Sequence, residues 1–227
     1  MTFWLGPEAQ AALWLSLKVS FWATVASLPL GLFVAHALAR WSFPGKQVLN
    51  GMVLLPLILP PVVTGYLLLL ALGPQGPLGT IGTLFAFRWT GAALAAGVMA
   101  FPLMVRAIRL SIEAVDPKLE DAARTLGAPR AWVFVTVTLP LILPGILTGA
   151  VLAFAKAMGE FGATITFVSN IPGETRTLPT AIYTFLQVPG GEVEALKLVA
   201  VSVGVAMGAL LVSEWLSARV ARRIAGR

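Results

Sequence analysis

Ionisable side chains spaced closely enough to act together fall in two short stretches of this chain. The first is a polar island, Asp116-Pro-Lys-Leu-Glu-Asp-Ala-Ala-Arg-Thr-Leu-Gly-Ala-Pro-Arg130; the second is Lys156 with Glu160. A cation and a carboxylate four residues apart on a helix neutralise each other, so a local ion pair is one reading of Lys156 and Glu160. The other makes Glu160 and its neighbouring glycines the lining of a gate in the outer half of a membrane. Neither stretch is a catalytic constellation. The single histidine, His36, has no carboxylate or thiol near it in sequence, which suits packing better than metal binding. Gly45-Lys46-Gln47 lacks the upstream glycine and the Ser/Thr of a phosphate-binding loop, so ATP is not expected on this chain by that route. The absence of cysteine removes disulfide and thiol chemistry. Ion-driven transporters commonly carry several intramembrane carboxylates; here only Glu160 lies near an apolar run.

The elements that position these residues are read from the composition. Of 227 residues, 58% are hydrophobic and 11% charged. The charged share is less than half of the roughly 25% usual for soluble domains. An all-α integral membrane protein of about five transmembrane helices follows, a single membrane domain over residues 1–227, and the net charge of +6 reflects topology before it suggests nucleic acid. Apolar runs place spans at Ala11–Ala39, Val48–Leu72, Thr90–Leu110, Trp132–Met158 and Ala195–Leu216. Pro56, Pro60 and Pro61 remove backbone donors from the second and predict kinks that neighbouring protein must compensate. Gly145 and Gly149 in the fourth permit close helix approach. Lys18 reads as a snorkelling cation and Arg88-Trp89 as an interfacial anchor. The segment Gly159–Glu194 is too polar and broken for an unambiguous span.

Five crossings put the termini on opposite sides. One side collects Arg40, Lys46, Arg106, Arg109, Lys118, Arg124, Arg130 and four C-terminal arginines ending at Arg227, eleven of the sixteen basic residues. The bias of cytoplasmic loops toward Lys and Arg therefore predicts an external N-terminus, a cytoplasmic C-terminus and a cytoplasmic island.

The island starts and stops like a helix. Asp116 can cap it, Pro117 suits its first position, and Gly127 followed by Pro129 ends it. Leu119, Ala122, Ala123 and Leu126 make an apolar stripe on about three turns, too short to stand alone in water, so that face must dock. Held between two spans, such a helix moves as a rigid lever when a soluble partner grips it, which is how a transporter without its own energy source can be driven.

Asp121-Ala-Ala, Gly127 and Val137-Thr-Leu139-Pro140 resemble the "EAA" loop of membrane subunits of bacterial ABC importers, with Asp where the family usually has Glu and Val where it often has Ile. A wider set is similar to molybdate ABC transporter permeases: Leu59-Pro-Pro-Val-Val-Thr-Gly-Tyr66, Phe101-Pro-Leu-Met-Val-Arg-Ala-Ile-Arg109 and Gly159-Glu-Phe-Gly-Ala-Thr-Ile-Thr-Phe167 with the residues through Arg176. The resemblance implies a type I ABC importer permease fold with a cytoplasmic coupling loop at about 113–131. It implies coupling residues among Glu120, Asp121, Ala122, Ala123, Leu126 and Gly127, with Glu120 and Asp121 both open as the contacting carboxylate. It also implies gate or pathway residues at Glu160, Phe161, Gly162, Ala163 and Thr164. The expected partners are a second copy of the chain, two ATP-binding cassette subunits carrying ATP and Mg, and an extracytoplasmic oxyanion-binding protein, all at a bacterial inner membrane. This chain itself is expected to be no enzyme and to bind no cofactor or metal. Sulfate or thiosulfate permeases share parts of the pattern and form the alternative; an ion-coupled secondary transporter is the rival from another class.

Overall fold

A computed structural model describes residues 4–224; Arg227 of the C-terminal basic cluster lies outside them. The described chain is helical: α1 Pro7–Arg40, α2 Lys46–Ile58, α3 Pro61–Leu72, a single turn α4 Gly79–Gly82, α5 Trp89–Glu113, α6 Pro117–Thr125, α7 Arg130–Val133, α8 Leu139–Met158, α9 Gly162–Val168, α10 Leu178–Leu186 and α11 Glu192–Ile224. A wide π turn, Phe134–Thr138, fuses α7 to α8. Four of these stretches are long and apolar enough to cross a membrane: α1, α5, the α7–α8 continuum and α11.

Helix α5 is the centre. Its buried side is made of small and slender residues, Ala92, Ala95, Ala96, Gly97 and Ala100, then Met104, Ile108 and Ile112, so α1 and α8 lie close on either flank. Gly145 and Gly149 both face α5: a Cβ on Gly145 would overlap Ser111 Oγ, and one on Gly149 would meet the Met104 carbonyl at 3.1 Å. The spacing of four therefore does close-packing work, as membrane helices require when hydrophobic burial cannot drive their association.

The second predicted span is not one helix. It breaks at Leu59-Pro60, and α2 and α3 meet at 114°. Consecutive prolines cannot donate the bonds that would continue the helix. The bent pair nonetheless carries the chain from one end of the bundle to the other. Asn50 near the start of α2 accepts from Arg109 Nη1 at 3.0 Å, beside the end where Arg40 lies, whereas Trp89 beyond α3 sits under Lys18. Lys18 Nζ is 3.7 Å from the Trp89 ring centroid, a cation–π contact at the headgroup level predicted for both residues. From Lys18 to Arg40 a straight helix rises about 33 Å, close to one hydrocarbon thickness. The broken segment after Met158 contains α9 and α10, both too short to span.

Candidate functional site

Helix α6 forms as its end signals dictate. Asp116 accepts from the Lys118 N–H at 3.0 Å, with Pro117 at the first helical position. At the other end Gly127 adopts φ 86°, a left-handed conformation that costs glycine nothing. Its N–H donates to the Arg124 carbonyl at 2.9 Å and the Ala128 N–H to the Ala123 carbonyl at 3.2 Å, the paired bonds of a Schellman stop.

The two acidic residues of α6 have separate fates. Glu120 is 7% exposed and faces the bundle. Its Oε1 accepts from Arg40 Nη2 at 3.2 Å and from Thr138 Oγ1 at 2.9 Å. Arg40 Nη2 also donates to the Val115 carbonyl at 3.0 Å. One carboxylate thereby ties α6 to the end of α1 and to the π turn. The adjacent Asp121 points outward, its side chain 67% exposed, with Arg124 as its only neighbour of opposite charge among the described residues. Of the predicted apolar stripe, Leu119 is 50% and Leu126 88% exposed, with Ala122 exposed and Ala123 half-buried. The described residues leave this face uncovered.

Thr138 reaches Glu120 because the helix widens just before Pro140. A proline there cannot bond back to Thr136, and the extra residue of a π turn absorbs the mismatch. No sequence signal marked Arg40 or Thr138 as members of this group: Arg40 pairs across 80 residues.

At the opposite end Glu160, 2% exposed, accepts from Lys156 Nζ at 2.9 Å and from the Ala163 N–H at 3.0 Å. The predicted ion pair is present, and the carboxylate also caps the first turn of α9. Ala163 and Thr164 are buried, while Phe161 stacks obliquely on Tyr183 with ring centroids 5.3 Å apart. Helix α9 packs hard on α3: a Cβ on Gly65 would lie 2.5 Å from the Ala163 carbonyl oxygen, and one on Gly162 2.7 Å from Pro61 Cβ. Thus Gly162 and Ala163 brace α3, the second limb of the broken span, while Glu160 holds the turn that presents them. His36 packs edge-on to Phe134 at 5.0 Å and to Trp41 at 6.1 Å, and no cluster of metal-ligating side chains exists among the described residues.

The described residues thus form a bundle of apolar helices with one short polar helix, α6, held out at an end. Residues 27–226 match the family "Binding-protein-dependent transport system inner membrane component", and the chain belongs to it. It is therefore a multi-pass inner-membrane permease subunit. It is similar to the molybdenum transport system permease protein ModB of Escherichia coli K12, 62% identical over 226 residues that cover 97% of this chain and 98% of the relative. The ModB protein of Haemophilus influenzae is 53% identical over 219 residues, covering 94% and 96%. Among solved structures, a bacterial alginate ABC transporter in complex with an alginate pentasaccharide-bound periplasmic protein superposes with TM-score 0.71 at 19% identity, covering 96% of this chain and 80% of that one. The fold is that of type I ABC importer permeases.

Proposed function

We propose that this chain is the membrane subunit of an ATP-driven molybdate importer, with α6 as the helix that a separate ATPase subunit grips. The observation carrying this reading is the division of labour on α6: Glu120 is locked to the membrane bundle, while Leu119, Asp121 and Leu126 are left facing away from it. A lever needs one face fixed to its load and one face free for its driver. Near-full-length similarity to two molybdenum permeases supports molybdate over sulfate as the cargo. The working unit is two copies of this chain, two ATPase subunits with ATP and Mg, and an oxyanion-binding protein outside. The Lys/Arg bias supports an external N-terminus and a cytoplasmic α6.

In this mechanism ATP-driven closure of the ATPase pair moves α6. Glu120, through Arg40 and Thr138, passes the displacement to α1 and α8 together. The α3–α9 brace, capped by Glu160, lies at the far end of the same helices, where a gate would open. With Glu160 neutralised by Lys156, a dianion meets no unpaired carboxylate there.

The test is reconstitution of the permease with its ATPase and binding protein in vesicles. ATP-dependent uptake of labelled molybdate, resisting excess sulfate, is the expected result. Uptake that persists without the ATPase and follows a proton or sodium gradient would sink the reading. Uptake that sulfate and molybdate compete for equally would overturn the cargo alone.

A further inference from the structure

Between α6 and the bundle lies a cavity of about 720 Å³, walled by His36, Arg40, Glu120, Arg124, Arg130 and Thr138. A second, apolar slot of about 240 Å³ is lined by Pro29, Leu32 and Phe33 and shares His36 and Phe134 with the cavity. We infer that the two together form a binding site for an anionic phospholipid, the phosphate in the cavity and an acyl chain in the slot along α1.

Three observations converge on this ligand. The first is charge: the cavity carries Arg40, Arg124 and Arg130 against the carboxylate of Glu120 and, at its exposed rim, that of Asp121. Both carboxylates are engaged already, by Arg40, Thr138 and Arg124, whereas Arg130 takes part in no ion pair among the described residues. The second is the presence of hydrogen-bonding nitrogens without partners. Arg40 Nε and His36 Nδ1 are buried and unpaired, and Arg40 Nε can only donate. Buried polar groups left in that condition are uncommon and call for a partner; a small rotation of the Arg40 side chain toward the cavity gives its Nε a phosphate oxygen. The third is shape. The slot adjoins the cavity at His36 and Phe134 and extends along α1 away from Arg40, with Phe33 about 10 Å of helix rise from Arg40. A free oxyanion has no use for an apolar slot; an amphiphile fills both parts. Trp41 in the cavity wall is a residue type that favours the headgroup level. The assignment of the site to the cytoplasmic leaflet rests on the proposed orientation of α6, but the site itself does not.

The permease–ATPase complex, purified in detergent and exposed to equal phosphatidylglycerol and phosphatidylcholine, is weighed by native mass spectrometry. Phosphatidylglycerol is expected to remain bound in preference to phosphatidylcholine. Arg130→Gln is expected to lower its retention about fivefold, the order of effect of one basic residue at an anionic surface. Leu32→Trp, which fills the slot, is expected to reduce retention of both lipids. Equal retention of the two lipids, or retention untouched by both substitutions, overturns the proposal. So does displacement by millimolar inorganic phosphate that also binds the Leu32→Trp protein undiminished, since the site then serves a free oxyanion. Lipid bound to the permease alone but absent from the complex would give the cavity to the ATPase and likewise overturn it. A C-terminal reporter found outside the cell would reverse the leaflet and the orientation while leaving these masses as they are.

Discussion

Glu120 and Glu160 are the same residue type, similarly hidden from solvent, each ion-paired and each accepting from one further donor. They differ in reach. Every partner of Glu160 lies within four residues of it, so its carboxylate shapes a local break and caps the helix after it. Glu120 has Arg124 one turn away but also draws partners from 80 and 18 residues away, so it joins elements that have no chain connection close by. A local carboxylate sets where a helix begins, whereas a long-range one decides which helices move together. The second property is what a lever requires.

Breaking the long-range group should have the largest effect. In Glu120→Ala, Arg40 and Thr138 lose their shared acceptor, and stimulation of ATPase activity by loaded binding protein should fall about tenfold or more, equivalent to about 1.4 kcal/mol of coupling. Basal hydrolysis by the assembled complex should survive. The exchange Arg40→Glu with Glu120→Arg should restore part of the stimulation; no recovery, with assembly intact, would mean that Glu120 acts by touching the ATPase. Gly127→Val comes next. A β-branched residue at φ 86° costs about 1–2 kcal/mol and misaims the end of α6. Transport should drop severalfold, while Gly127→Asn, which tolerates the left-handed region, retains most of it.

At the local end, Gly65→Ala should lower the thermal unfolding midpoint of the detergent-solubilised protein, because its methyl meets the Ala163 backbone and overpacking costs about 1–3 kcal/mol. An unchanged midpoint would show that α3 and α9 slide freely. Glu160→Gln keeps an acceptor for the Ala163 N–H and should cost less than Glu160→Ala by about 1 kcal/mol, the usual worth of a helix cap. If both variants lose transport equally, with stability unchanged, the charge and not the cap is what matters. The smallest structural effect belongs to Asp121→Asn on the open face of α6. Stability should stay within about 0.5 kcal/mol, while association with the ATPase subunit, read by co-purification, weakens.

Local signals were legible because they depend on neighbours in the chain. Asp116, Pro117 and Gly127 delimited α6, and the four-residue spacing of Lys156 and Glu160 offered their pair as one of two readings. The apolar runs gave the crossings, and the prolines marked the second span as bent. The size of that bend was not legible, since 114° reflects how α3 settles on α9 as well as the missing donors. Equally hidden was the choice between Glu120 and Asp121. Adjacent residues on a helix point about 100° apart, so the two carboxylates take different surroundings, and which of them meets the bundle depends on how α6 is rotated against it.

The sequence by itself determined a helical membrane chain, the place and ends of α6, and the spacing that allows Lys156 and Glu160 to pair, because each follows from composition or from spacing within a few turns. The tertiary structure alone decided that Glu120 belongs to the bundle and Asp121 to the open face. Arg40, Val115, Glu120 and Thr138 meet only after α1, α5 and α8 have packed, and no spacing along the chain encodes that meeting.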